Sequence, residues 1–294
     1  MNNFYPKFIA AIEKQIERRV IRDVVIVFFR RCVYLLLVFK MLFVWSVLPV
    51  FYRHVIHESK GSLVPYNLIF LPQFQNYYTI YWVILIVILG VAIVRKGSYL
   101  LSAIVLIISL TYLKLTIDAV NFGDKLLNFL IFMLVFVREG APRHSLRQFI
   151  NNASVLIIQV HFCLIYFLNA YGKIMRPFWR DGSVFDHVWH LSYYAHTGII
   201  PYMLVNSTTN FLTAWAVMLF EFIFPFLIWF KPFKKPLLIA GLFLHLGIAT
   251  LLSLPDFGVT MIIVYILFWD LKSTISKVTS TKNSLHSKRE CSQK

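Results

Sequence analysis

Three polar residues spaced seven apart lie in one apolar segment of the chain: Gln159, Tyr166 and Lys173. In a helix this spacing keeps them on one face, with a drift of about 20° per step. Asn169, one turn before Lys173, extends the polar stripe, which should face the interior of a helical bundle. Alternatively, Lys173 ends the helix and extends its amine to the lipid headgroups, with Trp179 as an interfacial anchor. Both interpretations stay open on these residues alone.

Two further residues that can exchange protons lie in the middle of later apolar segments. Glu221 is central in WAVMLFEFIFPFLIWF, and Pro225 removes the hydrogen bond to its carbonyl group. Two interpretations of Glu221 stay open: a neutral acid that is hydrogen-bonded to a neighbouring helix, or a carboxylate with a functional or ion-pair role. His245 is central in PLLIAGLFLHLGIATLLSL, where a lone histidine is most often a packing residue. Because both have similar depths on successive helices joined by a short loop, we predict that they lie close together and line one interior cavity.

A weaker metal-binding pattern lies between the Lys173 segment and the Glu221 segment. The connection after Lys173 contains Asp186, His187, His190 and His196. Residues 186–190 read Asp-His-x-x-His, and in a helix His187 and His190 would share a face, as two ligands of one metal do. The sequence has no HExxH motif and no well-spaced cysteine ligand. An aromatic interfacial helix is the favoured interpretation, and we predict no metal site.

The composition is that of an integral membrane protein. The chain is 59% hydrophobic and 14% charged, with a mean hydropathy of +0.71. Its net charge of +16 comes from Lys and Arg between and outside the apolar runs. These residues are topology signals and contacts with the lipid bilayer, so nucleic acid is not an expected partner. The three cysteines form no disulfide framework.

The apolar runs predict an all-α fold, a polytopic membrane bundle of about eight transmembrane helices. The expected spans are 32–51, 78–94, 98–117, 122–137, 152–172, 211–230, 236–254 and 256–270. With the N-terminus inside, 21 of the 29 Lys and Arg lie on the cytoplasmic side. This asymmetry predicts a multi-pass protein of the cell membrane with both termini cytoplasmic.

The expected organisation has three parts. Residues 1–24 are an amphipathic, basic segment on the cytoplasmic leaflet, 25–270 are the transmembrane domain, and 271–294 are a basic disordered tail. The connections 52–77 and 173–210 are rich in aromatic residues and should lie at the headgroup level or cap a cavity. The turn TIDAVNFGDK should join the third and fourth spans.

The order of these features resembles the HTTM (horizontally transferred transmembrane) domain, the membrane part of vitamin K-dependent gamma-carboxylases and their bacterial relatives. The resemblance covers about residues 25–270. The matching residues are Gln159, Tyr166, Gly172, Lys173, Trp179, Gly182, Glu221, Pro225 and His245, and Asn121, Gly123 and Asp124 match the turn before the fourth span.

The resemblance implies a chemistry. In the carboxylases a membrane lysine deprotonates a reduced quinone, which reacts with oxygen to form the base that activates glutamate for carboxylation. That lysine corresponds to Lys173, and the resemblance assigns proton relay or tuning to Glu221 and His245. Gln159, Tyr166 and Trp179 are the expected substrate-binding residues. Poor solvation at a helix end favours the neutral amine that such a base requires.

Two departures separate this chain from the carboxylases: it ends soon after its last span, and AYGKIM holds a single lysine. It is more similar to the short bacterial group that includes the sporulation-delaying protein B type. The leading hypothesis is therefore quinone-linked chemistry on a lipid-soluble or exported peptide substrate. The alternative is a non-enzymatic maturation or immunity factor for a secreted antimicrobial peptide. An ion pathway is a third class, but the sequence shows no continuous polar track.

Overall fold

The computed structural model describes residues 23–50, 77–142, 144–190 and 206–269, and within these ranges the protein is all helical. This confirms the predicted fold class at the level of secondary structure. The helices are α1 (Asp23–Phe43), α2 (Tyr78–Val94), α3 (Tyr99–Leu115), α4 (Phe122–Leu134), α5 (Leu146–Ile174), α6 (Pro177–Arg180), α7 (Ser183–His190), α8 (Ser207–Leu227), α9 (Lys231–Leu251) and α10 (Pro255–Tyr265).

Four helices are long and apolar enough to cross a bilayer: α1 with its extension to Val50, α5, α8 and α9. Three others, α2, α3 and α10, are apolar but shorter. At 1.5 Å per residue, the 17 residues of α2 extend about 25 Å, against about 30 Å for a typical hydrocarbon core. The apolar helices indicate a membrane protein, as the composition does.

Local sequence signals set where several helices begin. Asn121 and Asp124 form a reciprocal capping box at the start of α4, in the predicted turn after α3. Ser98 accepts a hydrogen bond from the backbone of Leu101 at the start of α3. A capping box also starts α8, formed by Asn206 with Thr209.

The first helix begins earlier than the predicted span at 32–51. Residues 23–31, which were expected to lead into that span, form the first turns of α1. Arg30 is 2% exposed because its guanidinium donates to the carbonyl groups of Ala92 and Arg95 and pairs with Glu139. Burial with three partners makes this basic residue part of the bundle. Residues 1–22, the tail 271–294 and most of the connection 52–77 lie outside the described residues.

Successive long helices run in alternating directions. Arg30, near the start of α1, bonds the carbonyl of Ala92 near the end of α2, whereas Trp82 near the start of α2 bonds the carbonyl of Met41 at the far end of α1. We call the end of the bundle with Arg30 and Arg95 the basic end. There the side chain of Asn151, near the start of α5, contacts the backbone of Arg138.

The alternation continues to the last helix. Lys173 at the end of α5 meets Glu221 in the middle of α8, while Phe167 packs against Phe226 near the end of α8. After α10, Phe268 contacts Trp229 beside the start of α9. The first and last described residues therefore lie at the same end, the basic end.

The core runs through the centre of the bundle and is mostly aliphatic and aromatic, with Phe29, Leu37, Leu130, Phe162 and Phe224 almost fully buried. Two short helices, α6 and α7, pack on the first half of α8. Gly182 between them has φ +82°, and a Cβ there would overlap the backbone of Phe211. A glycine is thus required for the connection after α5 to lie against α8.

Candidate functional site

An ion pair joins α5 to α8 within the bundle. The amine of Lys173 donates to Oε1 of Glu221 at 2.5 Å, and their side chains are 21% and 10% exposed. Side chains lean toward the N-terminus of their own helix, and α5 and α8 are antiparallel. Lys173 therefore leans back along α5, and Glu221 leans toward it. The lysine amine binds a carboxylate within the bundle.

An aromatic ring also contacts the amine of Lys173. The Trp179 ring in α6 lies with its centroid 4.7 Å from Nζ of Lys173, within cation–π distance. Trp179 packs edge-on to Phe185 of α7, and both belong to a small apolar cluster with Met218 of α8. The short helices after α5 thus position an aromatic face on the charged pair. Trp179, one of the expected substrate-binding residues, therefore lies beside Lys173.

A second polar group lies deeper along α5, centred on the hydroxyl of Tyr166. This oxygen is 2.6 Å from Nε2 of His245 in α9 and 2.5 Å from the hydroxyl of Tyr265 in α10. Tyr166 is 1% exposed and its ring stacks on Phe224 at 4.4 Å. A tyrosine hydroxyl donates one hydrogen bond and accepts others, so the proton positions in the three groups depend on one another.

A glycine makes room for this arrangement. A Cβ on Gly241, one turn before His245, would overlap the hydroxyl of Tyr265. Gly247 on the same helix has open space at the corresponding position. Only the first glycine is needed for α10 to approach α9 closely enough that Tyr265 reaches Tyr166.

Glu221 and His245 were predicted to lie close together, and in the structure each of them bonds a different residue of α5. Their partners, Lys173 and Tyr166, are seven residues apart, or about 10 Å along the helix. Both side chains are buried, at 8% and 2% exposure, so neither faces lipid.

Two atoms of these residues have unused hydrogen-bonding capacity. Oε2 of Glu221 and Nδ1 of His245 are buried without a hydrogen-bond partner in the part of the chain that the structure describes. A buried unsatisfied polar atom costs about 1–3 kcal/mol. Buried atoms without a hydrogen-bond partner in the described residues also occur at Arg30, Asp124 and Arg138, and such atoms are able to bind an ordered water or a polar group of another molecule.

Gln159 completes the stripe but makes a different contact. Its amide donates to the carbonyl of Leu267 at 2.8 Å and holds the end of α10 against α5. It lies 14 residues, or about 21 Å, along α5 from Lys173. Asn169 is exposed, so the buried polar face is narrower than the sequence predicted.

A second buried ion cluster was missed. Lys40 of α1 is 2.8 Å from Asp124 of α4 and 2.5 Å from Asp256 of α10, and Asn121 also donates to Asp256. Lys40 and Asp124 are 7% and 4% exposed. The sequence held the signal, since a lysine inside an apolar segment requires a partner. It did not indicate which acids provide it.

The residues of the weak metal pattern have other partners. Asp186 accepts a hydrogen bond from Asn210 at 2.5 Å, and Nδ1 of His187 contacts the carbonyl of Ser183 at 2.9 Å. The first contact joins α7 to α8, and the second lies within α7. The His190 side chain and His196 lie outside the described parts of the chain.

Comparison with family models, with curated proteins and with solved structures finds no match for this chain.

Proposed function

We propose that the protein is a membrane-embedded acid–base enzyme of the HTTM type, in which Lys173 is the base and Glu221 exchanges its proton. One observation carries the proposal: a 2.5 Å Lys173–Glu221 pair whose second carboxylate oxygen is buried and unpaired.

The Lys173–Glu221 pair forms a neutral amine when one proton moves along the hydrogen bond between the two side chains. A proton passed from Lys173 to Glu221 converts two opposite charges into two neutral groups. In a poorly solvated environment the neutral pair has less charge to desolvate, which brings the two forms closer in energy. Trp179 limits the access of water to the amine. The lysine can then accept a proton from a substrate held beside it.

The free atoms favour a substrate that donates hydrogen bonds. Oε2 of Glu221 accepts them, whereas an anion there would meet the carboxylate. The hydroxyls of a reduced quinone, the class implied by the HTTM resemblance, fit this requirement, as does the amide of an exported peptide. Such a quinone would supply reducing electrons for oxygen chemistry. In this proposal Tyr166, about two turns from Lys173 along α5, and its partner His245 hold or pass a second proton.

The same proposal includes eight spans and cytoplasmic termini in the cell membrane. The alternating helices and the concentration of Lys and Arg at the basic end support this topology. Reporter fusions after residues 60, 140, 190 and 290 should report outside, inside, outside and inside. An extracellular signal from the fusion after residue 290 would overturn it.

A non-enzymatic role is the second candidate, as a maturation or immunity factor for a secreted antimicrobial peptide. Its support is that the same contacts link α5, α8, α9 and α10, so they would hold a bundle together without any chemistry. In that case, replacing Lys173 and Glu221 together by methionine and leucine should preserve function.

The decisive test is Lys173→Arg. Arginine keeps the charge and the contact with Glu221 but does not release its proton at ordinary pH. The purified protein should keep its fold, while quinone-dependent oxygen uptake falls by about 10²–10⁴-fold, the usual contribution of a general base. Lys173→Ala should be equally inactive, and added small amines should restore part of its activity.

The matched control is Lys234→Arg on α9, which makes the same change at the basic end and should leave oxygen uptake unchanged. Bound quinone, measured after purification, separates loss of binding from loss of the base. If Lys173→Arg retains full activity, the lysine is a structural partner of Glu221 and the enzyme proposal fails.

A further inference from the structure

An open groove of about 540 Å³ lies between α2 and α3 at the basic end, far from the Lys173 site. Its walls are apolar, from Val91, Leu101 and Ile104, and its rim carries Arg95 and Lys96. The volume is within the range of about 300–1,000 Å³ found for small-molecule sites. The groove thus combines an apolar wall along the helices with two adjacent cations where the helices end.

The turn that carries Arg95 and Lys96 is fixed by hydrogen bonds to the Arg30 and Glu139 side chains. Arg30 donates to the carbonyl groups of Ala92 and Arg95, and the backbone N–H of Gly97 donates to Glu139. Glu139 is itself paired with Arg30 at 2.6 Å. The nearby carboxylate is therefore already neutralised by a buried guanidinium.

The cations of the rim keep their charge available. Arg95 and Lys96 are exposed, and neither has an ion-pair partner among residues 23–50, 77–142, 144–190 and 206–269. The terminal segments of the chain, 1–22 and 270–294, each contain more Lys and Arg than Asp and Glu. Their net positive charge opposes their insertion into this groove. The positive charge of Arg95 and Lys96 therefore favours binding of an anion that is not part of this chain.

We propose that this groove binds one anionic phospholipid, with its phosphate at Arg95 and Lys96 and an acyl chain along Val91 and Ile104. The geometry matches such a molecule because the charge sits at the end of an apolar wall, as headgroup and chain do. Leu100 at the groove is 74% exposed, and Val91 is 46% exposed. A free phosphate would use the cations and leave this apolar wall uncovered.

The test is retention of phosphatidylglycerol by the full-length protein, measured by native mass spectrometry from micelles containing phosphatidylcholine and phosphatidylglycerol. The groove variant is Arg95→Gln with Lys96→Gln. The control is Lys234→Gln with Lys235→Gln, which removes the same charge from the same end of the bundle. A basic residue near a lipid surface contributes about fivefold in affinity, so the groove variant should bind about 30-fold more weakly.

We expect one tightly retained phosphatidylglycerol in the wild type and in the control, and its loss in the groove variant. Circular dichroism of both variants checks that the helices are intact. Equal lipid retention by the groove variant and the control would overturn the site, because attraction would then be general. Displacement of the lipid by millimolar inorganic phosphate would also overturn it and identify a phosphate site.

Discussion

Replacing Glu221 by leucine removes the carboxylate from Lys173 and leaves a buried amine with a hydrocarbon neighbour. Breaking a fully buried ion pair from one side costs about 3–5 kcal/mol. The Lys173 side chain is 21% exposed and keeps its contact with the Trp179 ring, so part of that cost is recovered. We therefore expect Glu221→Leu to lower the free energy of unfolding by about 2–3 kcal/mol.

The double variant gives the sharper number. With Lys173→Met added to Glu221→Leu, neither charge is buried, and replacement of a buried ion pair by apolar groups is often neutral. Its stability should return to within about 1 kcal/mol of the wild type, so adding Lys173→Met recovers about 2 kcal/mol of the loss. Lys173→Met alone should destabilise the protein, because it leaves the Glu221 carboxylate without its cation. Activity should be absent in all three variants, whereas a structural pair would predict recovered function in the double variant.

The assay is reversible unfolding in mixed micelles with increasing sodium dodecyl sulfate, followed by helical circular dichroism. The wild type, both single variants and the double variant are measured at one pH and ionic strength. If the loss of stability in the double variant equals the sum of the losses in the two single variants, the two residues are not energetically coupled. The reasoning from the 2.5 Å contact would then be refuted.

Two other predictions use the same unfolding assay. Gly241→Ala should lower the free energy of unfolding by about 1–3 kcal/mol, because its methyl group would overlap the Tyr265 hydroxyl. The control, Gly247→Ala, has open space around it and should change that free energy by less than about 1 kcal/mol. Equal effects would contradict the close approach of α9 and α10. Lys40→Met should lower the free energy of unfolding by about 3 kcal/mol, because it leaves Asp124 and Asp256 without their cation. Adding Asp256→Asn should recover part of this loss. If it recovers none, the ion pair does not couple α1 to α10.

The positions of the helices were predictable from the sequence. Apolar runs interrupted by caps and breakers predicted the range 78–94 for α2, and the structure has Tyr78–Val94. The capping box of Asn121 with Asp124 is a contact between residues three apart, so a local pattern is enough to predict it. Helix α1 also contains residues 23–31, which precede the predicted span, and the basic residue Arg30 among them is compatible with the bundle because it has partners from other helices.

The candidate site could be predicted only as a set of residues. Periodicity placed Tyr166 and Lys173 on one face of α5, because that relation depends only on the helical repeat. The bond from Tyr166 to Tyr265 was not predicted, since an apolar helix ending in tyrosine has no pattern that indicates a partner 99 residues away.

The tertiary structure decided which groups form pairs. Similar depth on neighbouring helices predicted that Glu221 and His245 lie close together, but it did not indicate that each bonds a different residue of α5. The direction of a side chain around its helix decides its partner, and that direction is set by packing. Lys40 shows the same limit: its position in an apolar segment requires an acid, yet Asp256 lies 216 residues away. Local physics determines the helices and their polar faces, whereas the rotation and order of the packed helices determine which charges become partners.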